Sequence, residues 1–277
     1  WSQRASPFSF AGPGRVTVPG IAFDALPAID AVLLSHNHYD HLDIETLKRL
    51  HAAHGMPVLT PLGNDTILRD AIPDIDVRVG DWEDVLDLPG LSVRLLPCHH
   101  WSARGTRDRS MALWASFALE TPVGKILHIG DTGFDSGRPY EAAAKHGPYR
   151  LAILPIGAYA PRWFMKAQHQ NPEESVEGFS ICDAQYAVAH HWGTFQLTNE
   201  AREEPPARLG GLDDGRGQER EEKAQSHVKA RVTLQPFNHV TAGGRVEHRQ
   251  VHPDVETALA LGPAREAQGD DEHGQRD

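Results

Sequence analysis

Ser35-His36-Asn37-His38-Tyr39-Asp40-His41-Leu42-Asp43 crowds three imidazoles and a carboxylate into the span from His36 to His41. The apolar run Ala31-Val32-Leu33-Leu34 ahead of it reads as a short buried strand. Behind it, Ile44, Leu47 and Leu50 fall on one face of a helix, with Asp43 as N-cap and Gly55 as the stop. The cluster therefore lies in a turn between strand and helix, where a scaffold holds side chains rigidly yet leaves them open to a ligand. Neutral histidine nitrogen and carboxylate oxygen are the donors that borderline divalent metals prefer, zinc above all. Four such groups so close in sequence cannot all reach one tetrahedral ion without strain. The spacing suits two ions, with His36 and His38 on one and Asp40 and His41 on the other. A lone histidine beside a strand is usually a surface or packing residue, and this chain has 17 of them. An HxHxDH pattern between a strand and a capped helix is a much rarer coincidence.

Two metals need more ligands, and three later stretches offer them, each at the end of an apolar run. They are Leu95-Leu96-Pro97-Cys98-His99-His100-Trp101, Ile126-Leu127-His128-Ile129-Gly130-Asp131-Thr132-Gly133 and Val188-Ala189-His190-His191-Trp192-Gly193. Gly130 lets the backbone approach closely and Asp131 emerges at a strand tip; a carboxylate there can bridge two cations, which an imidazole cannot. Spacing alone leaves open which histidine of each pair is the ligand.

With 277 residues, 40% of them hydrophobic, the chain can bury a full core as one large domain or two small ones. A net charge of −11 and a pI near 5.8 argue against a general nucleic-acid binder. The two cysteines, Cys98 and Cys182, imply neither a disulfide framework nor a C-x-x-C site. No apolar run approaches the roughly 20 residues of a membrane span, and the start carries no basic-then-apolar signal pattern. The expectation is a cytoplasmic protein, soluble or peripheral to a membrane.

Residues 1–30 are rich in Pro, Gly and Ser and read as irregular. Strands are expected at 57–60, 76–79, 85–88, 91–97, 151–155 and 185–190, with a hairpin of 111–120 and 125–129. Short helices are expected at 61–69, capped by Asn64, and at 140–146. Another starts at Asn171-Pro172-Glu173-Glu174, which combines a cap, a Pro at the first position and acids in the first turn. Strands and helices alternate, and several strands are apolar on both faces, which gives an α/β class with helices covering sheets. The composition changes near Leu209. Residues 210–277 are polar and charged, and read as a poorly ordered tail with little apolar surface to fix a strand at 228–234 or a helix at 255–261.

The order His36-x-His38-x-Asp40-His41, a later His, Gly130-Asp131 and a final His resembles the metallo-β-lactamase superfamily. Within it the chain is similar to the N-acyl-phosphatidylethanolamine-hydrolysing phospholipase D family and its bacterial relatives. The closer likeness rests on Arg4-Ala5-Ser6-Pro7, the 35–43 stretch, His100-Trp101, Gly130-Asp131-Thr132-Gly133, Pro155-Ile156-Gly157-Ala158-Tyr159, Pro161-Arg162-Trp163-Phe164-Met165 and His191-Trp192-Gly193-Thr194-Phe195. It covers residues 1–209. The run from Pro155 to Met165 makes it specific, since the superfamily at large does not share that run.

The resemblance implies an αβ/βα sandwich lacking the first strands of the superfamily. It implies two Zn2+ per chain, one on His36, His38 and His100, the other on Asp40, His41 and His191, with Asp131 bridging. In each double-His pair the family's ligand precedes Trp, so His99 and His190 become supporting or packing residues, and His128 is structural. Asp40 and Asp131 would orient a water acidified by the metals, and His169 would help the leaving group. Gln168, Tyr159 and Arg162 would meet the substrate, and Tyr159, Trp163, Phe164 and Met165 would offer an apolar surface to a membrane. The implied activity is phospholipase D-type cleavage of N-acyl-phosphatidylethanolamine to N-acylethanolamine and phosphatidic acid. Other readings of the same motifs are a lactone, ester or cyclic phosphodiester hydrolase of the superfamily, or an inactive metal-binding fragment. Expected partners are a phospholipid or another small phosphodiester or ester, a membrane met peripherally and a second copy in a homodimer, without nucleic acid.

Overall fold

The computed structural model describes residues 1–212 and the pair Arg231–Val232. Three strands, β1 (Val32–Leu33), β2 (Val58–Pro61) and β3 (Val77–Gly80), form a parallel sheet in the order β1-β2-β3. Helices α1 (Ile44–His54) and α2 (Asn64–Ala71) connect them. Asp43 caps α1 as expected: its carboxylate accepts from the Thr46 amide, and Gly55 ends the helix at φ 61°. Asn64 is not a cap. Gly63, at φ 86°, takes that position, and the Asn64 amide instead donates to the Pro61 and Leu113 carbonyls.

The second sheet has the order β10-β9-β8-β7-β6-β5-β4. Its strands are β4 (Val85–Leu88), β5 (Leu91–Leu96), β6 (Ser116–Thr121), β7 (Gly124–His128), β8 (Tyr149–Pro155), β9 (Ala184–His190) and β10 (Arg231–Val232). The expected hairpin of β6 and β7 is present, but β6 starts at Ser116 rather than Met111, whose side chain is exposed. Helices α3 (Arg138–Ala144) and α5 (Pro172–Ile181) cover this sheet, with a single turn, α4 (Arg162–Met165), before α5. The Asn171 cap of α5 is a full capping box with Glu174.

Alternation along the strands decides the layering. Val32, Val58 and Val77 pack with Leu47, Leu50 and Leu68 of α1 and α2. Ala31 and Leu59 turn the other way, onto Val93, Leu95, Phe117 and Leu119 of the large sheet. The opposite face of that sheet, with Leu96, Ala118, Leu127, Ala152 and Leu154, packs on Tyr140, Ala143 and Phe179 of α3 and α5. The result is four layers, helices–sheet–sheet–helices, the expected αβ/βα sandwich. Strands β7, β8 and β9 run parallel; β5 and β7 are both antiparallel to β6, so β5 shares their direction. The C-terminal ends of β5, β7, β8 and β9 thus meet at one rim, where side chains from strand-to-helix loops converge in open α/β sheets.

A helix at 204–212 runs through the expected domain boundary at Leu209, whose side chain is buried. Of the strand expected at 228–234, Arg231–Val232 is described, paired parallel with Tyr186–Ala187 of β9. The helix expected at 255–261 lies outside the described residues, as does most of the expected tail. Cys98 and Cys182 are buried free thiols.

Candidate metal centre

Each candidate ligand leaves a strand end for a stated reason. The loop 35–43 hangs from the small sheet after β1 and folds on itself through His41 and Leu42 amides that donate to the His38 carbonyl, at 3.1 and 2.8 Å. His100 follows β5. Its neighbour His99 ties that loop to the next one, its amide donating to Thr132 Oγ1 and its carbonyl accepting from the Gly133 amide. Asp131 follows β7 through Gly130, which turns at φ +65°. His191 follows β9 in the left-handed region at φ 59°, uncommon for a residue with a Cβ and frequent at functional sites. Gly157 makes room for it: a Cβ there would lie 2.1 Å from the His191 carbonyl oxygen.

The side chains form two groups that share one oxygen. His36 Nε2 and His100 Nε2 lie 2.9 and 3.2 Å from His38 Nδ1. Each outer imidazole is oriented from behind: Ser35 Oγ sits 3.0 Å from His36 Nδ1, and the Gln168 carbonyl 3.0 Å from His100 Nδ1. Hydrogen-bonding the far nitrogen to a carbonyl fixes the tautomer, leaving a lone pair at His100 Nε2 aimed into the group. In the second group, His41 Nε2 and His191 Nε2 each lie 3.1 Å from Asp131 Oδ2 and 3.5 Å from Asp40 Oδ2. The same Asp131 Oδ2 is 4.0 Å from His36 Nε2, 3.8 Å from His100 Nε2 and 4.0 Å from His169 Nδ1.

These residues fit cations. Tetrahedral ligands about 2.05 Å from zinc sit about 3.3 Å apart, close to the nitrogen spacings observed. Three imidazole nitrogens facing one another have too few protons to bond pairwise, and Asp131 Oδ1 is buried with no hydrogen-bond partner. Burial, reinforced by the neighbouring imidazoles, holds His36 well below its ordinary pKa; burial likewise dominates at His100, so both are neutral donors. Burial opposes charge on His41 too, but the Asp131 and Asp40 carboxylates outweigh it and raise its pKa well above the ordinary value. Burial likewise opposes charge on Asp40 and Asp131, and the facing His41 and His191 rings outweigh it, holding both well below the carboxylate range. The carboxylates thus favour positive charge beside them in the second group, whereas the first offers neutral nitrogens. Both sets, with His100, Asp131 and His169, are the groups able to hold a cation among the described residues.

His169 stacks on His191, ring centroids 5.3 Å apart, and burial pushes its pKa down to about 4. Gln168 turns its side-chain oxygen to the Trp101 indole N–H at 2.6 Å, and Trp101 packs on His38. Its place is therefore behind the ligands. His190 is buried beside His128, whereas His99 is exposed near Asp135 rather than packed in support.

Two expected substrate residues are not brought to the cluster. The Arg162 guanidinium donates to both Glu174 carboxylate oxygens, each at 2.8 Å, and to the His169 carbonyl. Tyr159 is buried, its hydroxyl donating to Glu204 at 2.7 Å. Trp163 and Phe164 are 86% and 59% exposed on α4, while Met165 faces inward. An open cleft begins at Asp40 and His191 and is walled by Trp192, Phe195, Leu197 and Arg202. Arg202 supplies the one cation among the described residues of that lining, and no local pattern in the sequence marks it. Nor does any described helix have the length and apolarity to cross a membrane.

A family model described as the beta-lactamase superfamily domain matches residues 5–192. An uncharacterized protein of Mycobacterium tuberculosis (strain H37Rv) is 39% identical over 76% of this chain and 56% of its own. N-acyl-phosphatidylethanolamine-hydrolyzing phospholipase D 1 of Caenorhabditis elegans is 36% identical over 78% of this chain and 64% of its own. The chain thus spans about half to two thirds of the length of these relatives. Among solved structures, a possible metal-dependent hydrolase from Veillonella parvula matches with a TM-score of 0.60 at 18% identity, covering 77% of this chain and 83% of that one. That likeness speaks to the fold.

Proposed function

Since the chain belongs to the beta-lactamase superfamily, we propose that it is a two-zinc phosphodiester hydrolase of phospholipase D type, acting on N-acyl-phosphatidylethanolamine. The observation that carries the hydrolase reading is Asp131 Oδ2, one buried oxygen facing both ligand groups. The lipid reading draws its support from the likeness to the C. elegans phospholipase D. His36, His38 and His100 would hold one ion, and Asp40, His41 and His191 the other, with Asp131 between them. When bound, the ions would acidify water and polarise a phosphoryl oxygen.

The chain's own residues supply the rest. Asp40 and Asp131 accept hydrogen bonds and orient an attacking water; Asp40 borders the cleft from which the diester enters. His169 offers a ring N–H to the leaving oxygen from the side of Asp131. Arg162 is tied to Glu174 away from the cleft, whereas Arg202, paired with Glu203 at 2.7 Å, stands on the cleft wall and is the guanidinium nearest a phosphate entering there. Trp163 and Phe164 provide the apolar contact for a lipid surface. Glu204 and Arg208 of the last described helix hold Tyr159 and Glu173, which ties that helix to the catalytic unit.

The test is a hydrolysis panel with zinc-loaded protein and N-acyl-phosphatidylethanolamine in mixed micelles. Release of N-acylethanolamine and phosphatidic acid, lost in His191→Ala, is the expected result. Hydrolysis of lactones or simple phosphodiesters with the lipid left intact would move the activity to another hydrolase of the superfamily. Failure to bind metal at all would remove the catalytic reading.

A further inference from the structure

We propose that Arg104 is a positioning residue for the metal centre, clamping the ligand loop after β1 to the ligand loop after β5. The proposal rests on the metal-centre reading above and concerns how its geometry is kept. Residues 35–43 belong to no strand or helix, yet they carry four ligand candidates from a sheet that contributes no others. His100 comes from the other sheet, and its nitrogen must stay near His38 for the three imidazoles to share one ion. No strand ladder spans that gap.

Arg104 does span it. Its Nη1 donates to the Asn37 carbonyl at 2.9 Å and to the Leu42 carbonyl at 2.8 Å. Those two carbonyls bracket His38, Asp40 and His41. The guanidinium also lies over the Tyr39 ring, 3.9 Å from its centroid, a cation–π geometry. Tyr39 returns the contact, its hydroxyl donating to the Arg104 carbonyl at 2.9 Å. The Arg104 end is fixed in turn: Asp108 accepts from the Arg104 and Gly105 amides, both at 2.8 Å, and Ser110 N–H donates to the Ser102 carbonyl. The loop that carries His100 therefore grips the loop that carries His38 at its two ends and its middle.

The residue type follows from the task. One flat, permanently charged group bonds two carbonyls and stacks on a ring at once, whereas a lysine ammonium reaches the carbonyls without the stack. Ligand sites tolerate displacements of only about 0.5 Å before coordination suffers. A clamp on the backbone of one loop, anchored in the other, sets the distance between His38 and His100 without touching the ion.

The test compares the parent chain with Arg104→Ala and Arg104→Lys. Each is stripped of metal, then titrated with Zn2+ against a chromophoric chelator and with Co2+ while the visible absorption is recorded. Thermal unfolding of the metal-free forms is measured separately. Zinc affinity should fall about 100-fold in Arg104→Ala and about tenfold in Arg104→Lys, within the range for groups that orient ligands. The Co2+ band should change in shape and intensity in both. A drop in thermal stability with parent-like affinity and spectrum would overturn the proposal, leaving Arg104 a fold residue. If Arg104→Ala does not fold, Arg104→Lys decides: a parent-like spectrum and affinity overturn the clamp, and a weakened, altered site supports it. Absence of metal binding in the parent protein would instead strike the reading on which the clamp rests.

Discussion

His190 and His191 are neighbours in the chain but sit in opposite surroundings. His191 Nε2 faces two carboxylates, 3.1 Å from Asp131 and 3.5 Å from Asp40. His190 packs its ring 4.9 Å from that of His128, and the pair joins none of the convergent His/Asp groups among the described residues. Burial, with His190 nearby, pushes the His128 pKa down to about 3 and keeps it neutral. Crowded imidazoles alone therefore pack against one another without converging on a cation. A cation site needs their lone pairs to converge and a carboxylate to supply the countercharge.

Removing the shared countercharge should do most damage. Asp131→Asn keeps the shape but not the charge, and metal analysis should fall from about two zinc per chain to less than one. Activity should drop roughly 10³-fold, about 4 kcal/mol of barrier. Retention of two ions would show that Asp131 does not join the groups. Asp40→Ala removes a carboxylate from the second group alone, and should leave about one zinc, held by His36, His38 and His100. If both ions leave together, the groups are one site rather than two. Ser35→Ala withdraws only the oxygen behind His36, so metal content at saturation should hold while affinity weakens about tenfold. An unchanged chelator-competition curve would mean that the serine orients nothing.

His128→Gln, on the other side of the comparison, should leave metal content untouched and change the pH dependence of stability instead. The folded pKa of His128 lies near 3, below its ordinary 6.5. The unfolded chain therefore binds the proton first as pH falls. The contribution of neutral His128 is complete above about pH 6.5 and is lost progressively toward pH 3, by at most about 1.4 kcal/mol per pH unit. Denaturation of the metal-free protein between pH 6.5 and 4.5 should show a shallower slope in the variant. Equal slopes would mean that His128 carries its proton in the folded chain.

Local signals in the sequence were the ones that could be read. Asp43 and Gly55 bound α1, Asn171 and Glu174 make a capping box, and the 35–43 stretch names four members of the cluster, because each feature closes within a few residues. Asn64 misled because a residue able to cap also bonds well to distant carbonyls, and Leu113 lies 49 positions away. The sequence points Arg162 and Tyr159 toward a substrate, but their partners Glu174 and Glu204 stand 12 and 45 residues off. A cation or hydroxyl carries no mark of which carboxylate the fold will bring to it. Arg104 left no trace for a related reason: its acceptors are backbone carbonyls, which every residue has.

The seven ligand candidates divide unevenly between the two sheets. Four hang from the three-stranded sheet by one short loop, and three sit on strand ends of the seven-stranded sheet, the last of them at residue 191. Each ion would therefore be a cross-link, fastening the front of the sandwich to the back at its rim, beside the apolar contacts of Leu95 and Phe117 and the hydrogen bonds of Arg104. Because that linkage exists only when both halves are in place, free metal at about 100 times its dissociation constant would add about 2.7 kcal/mol per site to the cost of separating the sheets. A chelator would then act on this protein as a mild denaturant, parting the two halves of the sandwich before either sheet comes undone.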